Sequence, residues 1–328
     1  MKKSPSLLIY KYRMIIMLLL VIVGFSVAAP QFFSLNTVTN VLWAVSMTGI
    51  MAAGAIYPIL TGGIDLSIGT EVALTSVLIA IFLVDLQLPL FITILLVLIF
   101  GAIMGIVNGT LITVFKIPAF ITTMAMMEIY SGMAMVISGG KTLPIRAPEA
   151  FLQIAIFKIL TIPLPVYIML LIMAVSYWVL HKSSFGRKII AVGGNAVASG
   201  LSGVNTRRIE VTGYVFSSVC AVIGGVVLSS MNQQGKATLA DGYEMNAISA
   251  IVLGGTSMAG GKGTIPGVLF GVILIGLINC GMTMLNAPSS MHNIVRGVII
   301  VVMVALDSYM EARSHAYAKG KAQASTTV

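Results

Sequence analysis

Apolar runs of about twenty residues, the length that crosses a bilayer as a helix, recur throughout this chain. They lie near 14–29, 38–60, 66–84, 90–114, 118–138, 164–181, 209–230, 244–259, 265–285 and 292–310. The pattern predicts an all-α polytopic membrane protein of about ten transmembrane helices. Residues 1–328 form one transmembrane domain. The run at 244–259 is short and is expected to be broken or tilted. Composition agrees: only 9% of residues are charged and 58% are hydrophobic, against roughly 25% charged in soluble domains. A soluble enzyme and a disordered chain are both excluded. Two cysteines, Cys220 and Cys280, sit in apolar runs. They read as small core residues, not as a disulfide framework.

An even number of spans places both termini on one side. Lys2, Lys3, Lys11 and Arg13 precede the first run, which resembles a signal peptide. Pro30 directly after Ala28-Ala29 makes a poor cleavage site, so an uncleaved first span is expected. Distributing Lys and Arg over the connections puts fourteen on the side of the termini and five on the other. Positive residues concentrate in cytoplasmic loops, so both termini are expected there. The net charge of +9 then reads as a topology signal. It is scattered over short loops, unlike a nucleic-acid surface.

Two stretches, 38–138 and 209–310, share landmarks at an offset near 170. Phe100-Gly101 matches Phe270-Gly271, Asn108 matches Asn279, and Pro118 matches Pro288. Five helices separate the copies, so they would cross the membrane in opposite senses. Inverted repeats of this kind typify transporters, whose path runs at the repeat interface.

Polar groups at membrane depth are costly and mark packing partners or a path. The densest set is Thr61-Gly62-Gly63-Ile64-Asp65-Leu66-Ser67-Ile68-Gly69, just after Pro58. Adjacent glycines and a proline break a helix. A new helix should start after them, capped by Asp65 or Ser67. A fold-holding role for Asp65 weighs more than a substrate or proton role. A second insertion runs from Asn232-Gln233-Gln234-Gly235 to Asp241-Gly242-Tyr243-Glu244-Met245-Asn246. It reads as a solvated loop or a re-entrant lining. A third, Leu253 to Thr264, holds five glycines and Lys262 but lacks phosphate-loop spacing and a preceding strand. Tight helix packing and a short turn explain it better. Asn108 and Asn279 sit in apolar runs, where interhelical hydrogen bonding is the ordinary role. The candidate path residues are therefore Asp65, Ser67, Asn108, Gln233, Glu244, Asn246 and Asn279. His181, His292 and His315 have no ligand spacing. No metal site or catalytic constellation is expected.

The longest cytoplasmic connection is 182–208. Asn195 is a good helix cap there, and Ala196 to Ser202 can form two turns stopped by Gly203. Val197 and Leu201, four apart, share a face. A short capped helix displayed this way reads as a docking knob.

With these strings in place the chain resembles the membrane permease of ribose-type ABC sugar importers. The resemblance rests on Gly62 to Gly69, Pro118-Ala119-Phe120-Ile121-Thr122-Thr123, and Phe185-Gly186-Arg187 with Ala191 to Asn195. It rests also on Gly242-Tyr243-Glu244, Gly254-Gly255-Thr256-Ser257 with Gly260-Gly261-Lys262-Gly263, and Ala305-Leu306-Asp307. These strings cover nearly the whole chain in order.

The resemblance implies an inner-membrane permease that pairs with a second permease copy, most simply as a homodimer. It implies cytoplasmic ABC ATPases that bind ATP and Mg, and a periplasmic sugar-binding protein. No cofactor is expected on this chain, and it is not itself an enzyme. The cytoplasmic loop would carry the coupling helix, with Gly186, Arg187, Gly194, Asn195, Ala198 and Gly203 as coupling residues. Three departures from the family pattern stand out. Asn246 replaces a common Asp, Ser131 stands where Arg is frequent, and the 232–241 stretch carries Gln233, Gln234 and Lys236. The alternative reading is an ion-coupled secondary transporter. It would need Asp65, Glu71, Glu128 and Glu244 as buried acids.

Overall fold

The computed structural model describes residues 18–29, 32, 34–146 and 148–288, with 290–292, 294–295, 297–298 and 301. The basic N-terminal arm, Pro30, Arg296, Ala305-Leu306-Asp307 and His315 lie outside the described residues.

The chain is a helical bundle. α1 (Leu18–Ala28) precedes α2 (Leu35–Leu60). α3 (Ile68–Ala80) runs on into a π-helical turn at Ile81–Asp85, followed by α4 (Leu90–Thr113) and α5 (Ala119–Ser138). The short α6 (Glu149–Ile156) leads to α7 (Leu164–Lys182), α8 (Ser184–Gly194) and α9 (Ala196–Leu201). α10 (Thr206–Asn232), α11 (Tyr243–Leu253) and α12 (Ile265–Met284) complete it. Two antiparallel pairs of two-residue strands tie connections together. β1 (Leu143–Pro144) pairs with β4 (Gln234–Gly235), and β2 (Lys158–Ile159) pairs with β3 (Ile162–Pro163).

Among the described residues, seven helices are long and apolar enough to cross a membrane: α2, α3 with its π turn, α4, α5, α7, α10 and α12. The run at 244–259, expected to be broken or tilted, breaks after Leu253. α11 stops at Leu253 because Gly254 and the left-handed Gly255 turn the chain. Its eleven residues reach about 17 Å, short of a bilayer core of roughly 30 Å. The run at 292–310 falls mostly outside the described residues.

α2 is the central post, with Met47, Ile50, Met51, Ile56, Tyr57 and Leu60 fully buried. α4 and α5 form an outer wall. They turn Phe91, Ile99, Ile103, Phe120, Ile121 and Val136 outward, as a lipid-facing surface requires. The sequence also holds a seat that periodicity alone did not single out. Gly101, Gly105 and Gly109 recur every four residues on α4. A Cβ at Gly105 would stand 2.5 Å from the Val215 Cα, and one at Gly109 would stand 2.7 Å from the Val211 Cα. α4 and α10 therefore meet backbone to backbone, the close approach that small-residue spacing permits in lipid.

Candidate functional site

The break after α2 forms as its residues dictate. Pro58 lies in the last turn, and Gly62 takes a left-handed φ of +81°. Ser67 stands at the N-cap position of α3 without a side-chain bond to the helix amides, and Asp65 Oδ1 accepts from the Ser67 N–H at 3.2 Å and the Ser67 hydroxyl at 2.7 Å. Around this turn α3, α4, α5 and α10 bring polar groups together. Ser67 Oγ also lies 3.2 Å from Glu71 Oε1. Asn108 Nδ2, from α4, donates to Ser67 Oγ at 2.9 Å and stands 3.4 Å from Glu71 Oε1. Ser218 of α10 donates to Glu71 Oε1 at 2.9 Å, and Tyr130 of α5 donates to Asn108 Oδ1 at 3.2 Å. Asp65, Ser67, Glu71 and Asn108 are all buried. Asp65 Oδ2, Glu71 Oε2 and the neighbouring Ser217 Oγ have no protein partner. Isolated buried carboxyl groups are costly, so this ring of donors is what makes the cluster tolerable. Among the described residues no cluster of His, Cys, Asp and Glu suits a metal ion.

The other end of α2, about 39 Å away along its 26 residues, borders two cavities. The larger, about 490 Å³, lies between α2, α11 and α12. Its polar lining consists of the amides of Asn40, Asn246 and Asn279 and the hydroxyls of Thr48, Thr283 and Tyr243. Trp43 adds an aromatic wall and Cys280 a thiol, and no lining side chain is charged. Asn246 is buried, and its Oδ1 meets no donor. A neighbouring cavity of about 410 Å³ lies against α6 and the β2–β3 hairpin and shares Asn40 and Trp43. The Trp43 indole donates to the Ala155 carbonyl at 3.3 Å, which ties α2 to α6.

The path candidates thus divide. Asp65, Ser67 and Asn108 meet in the buried network, whereas Asn246 and Asn279 meet at the cavity. Asn108 and Asn279, matched by sequence offset, do not share a surface. Gln233 caps α10 in a left-handed conformation, and its carbonyl accepts from Ile145 N at 2.8 Å. Glu244 packs against Gly69 in the first turn of α11. Of the four acids an ion-coupled path would need, Asp65 and Glu71 meet in this network, and Glu128 is exposed on α5. Asn40, Trp43, Tyr130 and Ser218 were missed because their neighbours are distant in sequence.

The 182–208 loop folds as two capped helices. Ser183 Oγ accepts from Gly186 N at 3.1 Å to start α8, and a Cβ on Gly186 would fall on the Leu180 carbonyl oxygen. Exposed Arg187 donates to Ser184 Oγ at 3.0 Å. Asn195 Oδ1 accepts from Ala198 N at 2.8 Å to start α9, and Gly203, at φ +82°, ends it. Val197 and Leu201 are 75% and 88% exposed on one face. α8 was not expected; its amphipathic face buries Ile189 and Val192.

Residues 37–304 match the family model described as "Branched-chain amino acid transport system / permease component". The chain belongs to this family. It is 35% identical over 303 residues to the ribose import permease of Haemophilus influenzae, covering 91% of this chain and 93% of the relative. It is 36% identical over 291 residues to the ribose import permease of Bacillus subtilis, covering 88% and 90%. It is also 32% identical over 301 residues to the L-arabinose transport permease of Escherichia coli K12, covering 92% and 91%. No solved structure matches the chain.

Proposed function

We propose that this chain is the membrane permease of an ABC importer that moves a neutral sugar, with ATP hydrolysed on a separate subunit. The observation that carries the reading is the cavity between α2, α11 and α12. Three amides, three hydroxyls and an indole line it without a charge. That chemistry suits a polyhydroxylated, uncharged solute, since amides donate and accept hydrogen bonds with hydroxyl groups. The ribose and arabinose cargo of the relatives supports the same class, in preference to the amino acids in the family's description. A zwitterionic amino acid would leave its charges without partners on such a wall.

The break end of the bundle faces the cytoplasm in this reading. Lys116, Lys182, Arg187, Lys188, Arg207, Arg208 and Lys262 gather there, against Lys141, Arg146, Lys158 and Lys236 at the cavity end, in line with the positive-inside rule. α9 then offers Val197 and Leu201 to the ATPase subunit, with Gly186, Arg187, Gly194, Asn195, Ala198 and Gly203 shaping or flanking the contact. A binding protein delivers sugar at the opposite end. A second permease copy completes the path around the open side of the cavity. The acid network holds the α2–α3 break in shape and does not touch sugar. The protein is a multi-pass component of the inner membrane.

The test is ATP hydrolysis by the assembly in lipid, made from this permease, its ATPase subunit and a candidate binding protein, with a panel of sugars and amino acids. Stimulation that needs both the binding protein and one neutral sugar supports the reading. Stimulation by an amino acid, or uptake driven by an ion gradient without ATP, overturns it.

A further inference from the structure

Three segments meet backbone to backbone at the cytoplasmic end, and glycine is what lets them. Leu60 ends α2, and its carbonyl lies among the terminal acceptors that a helix leaves without a partner. The Gly261 N–H fills it at 2.9 Å. Gly260 and Gly261 take left-handed φ values of +89° and +71°, which other residues adopt at a penalty. A Cβ on Gly193, at the end of α8, would fall on the Leu60 carbonyl oxygen and 2.6 Å from Gly261 N. A Cβ on Gly260 would stand 2.9 Å from Gly62 N and 3.1 Å from Gly193 O. One on Gly261 would stand 2.9 Å from Gly194 N. Gly194 is the contrast: a Cβ there meets nothing within 4 Å.

What this junction connects gives it meaning. α9 begins two residues after Gly194. Leu60 leads through the break to Asp65 and α3. Gly261 leads through Thr264, whose hydroxyl caps α12, to the helix that carries Asn279 and Cys280 along the cavity. Side chains at a contact can yield by changing rotamer, whereas apposed backbones cannot, so displacement passes on undiminished. α12 then acts as a rod of about 22 Å from Ile265 to Cys280.

We propose that Gly193, Gly260 and Gly261 are positioning residues that transmit movement of α9 to the cavity walls. This rests on the reading of α9 as the ATPase contact. The junction makes the docking helix, the α2–α3 break and α12 one mechanical unit.

Cys280 supplies the readout. It lines the cavity, whereas Cys220 is buried in the core, so a water-soluble maleimide reports on Cys280. In the wild-type assembly, ATP with Mg should change the labelling rate. Gly193→Ala and Gly261→Asn are the two variants; Asn tolerates a left-handed backbone, so the second adds chiefly the clash. Both should keep the ATPase subunit bound and the basal labelling rate intact, yet lose the ATP-dependent change. Gly132→Ala, where an added Cβ meets nothing within 4 Å, should keep it.

An intact ATP response in both variants would overturn the proposal. So would loss of the ATPase subunit or an altered basal rate in both, since the junction would then be scaffold alone. A wild-type assembly indifferent to ATP would overturn it too, because nothing would reach α12. Failure of the docking reading shows separately: a Val197→Asp/Leu201→Asp variant would still co-purify with the ATPase.

Discussion

The side-chain amide of Asn108 donates to Ser67 Oγ at 2.9 Å and takes the Tyr130 hydroxyl on its own oxygen at 3.2 Å. One residue of α4 thereby joins α5 to the start of α3. Asn108→Leu removes both links and leaves Ser67 and Glu71 short of a donor. The loss should destabilise the permease by about 1–3 kcal/mol, the usual consequence of leaving a buried polar group unsatisfied. A lowered midpoint in thermal denaturation of the detergent-solubilised protein checks this. An unchanged midpoint with altered sugar selectivity would move Asn108 from scaffold to path.

The cavity makes the opposite demand of its amides. Asn279→Leu and Asn246→Leu keep side-chain size but remove hydrogen bonding from the wall. Each should slow sugar transport roughly tenfold, the equivalent of one lost hydrogen bond to substrate. Membrane levels and thermal midpoint should hold. Uptake in vesicles at saturating binding protein measures it, and wild-type rates in both variants would remove the cavity from the path.

Docking through α9 predicts an asymmetry between its surface and its cap. Leu201→Asp puts a charge on an exposed apolar face and should abolish co-purification of the ATPase subunit without unfolding the bundle. Asn195→Ala removes the cap bond to Ala198 and should weaken α9 by about 1 kcal/mol. A partial loss of ATPase binding, graded below that of Leu201→Asp, is the expected result in a pull-down assay.

Occupancy of the cavity should be visible at Cys280. Transported sugar, delivered by the binding protein, should slow maleimide labelling of Cys280 during turnover, while a non-transported sugar leaves the rate alone. Mass spectrometry of the labelled protein reads the site, with Cys220 as the unreactive internal reference. Labelling that ignores the transported sugar would place the path elsewhere.

The seat of α4 on α10 is a test of packing. Gly105→Leu drives a side chain into the Val215 backbone and should prevent assembly of the bundle, seen as loss of the protein from the membrane fraction. Overpacking by a few atoms already costs about 1–3 kcal/mol. Gly132→Leu, on the outward face of α5 where a Cβ meets nothing within 4 Å, should be tolerated.

Several features were legible because their causes are local. Asn195 caps α9 and Gly203 ends it through bonds that span three or four residues. The break at 61–67 follows from Pro58, two glycines and an Asp within nine positions. Its cap was left open between Asp65 and Ser67. The structure puts Ser67 at the N-cap position, but its hydroxyl turns back to Asp65 Oδ1 and makes no bond to the helix amides. α8 escaped notice because its glycines mask an amphipathic pattern. The division of the path candidates was equally hidden. Asn108 and Asn279 lie 171 residues apart, near the expected repeat offset, yet one is sealed among donors and the other opens on a cavity.

From the sequence alone came the helical membrane architecture, the break, the short helix capped by Asn195 and the family resemblance, because bilayer thickness and short-range hydrogen bonding act on neighbouring residues. The tertiary structure alone decided that Glu71 and Ser218 share a network, that Asn40, Trp43, Asn246 and Asn279 border one cavity, and that Gly193 rests against Leu60 and Gly261. Those contacts join segments tens to hundreds of residues apart. They depend on which helix faces pack together, and in an apolar chain many faces look alike until the close approach of backbones at glycine selects among them.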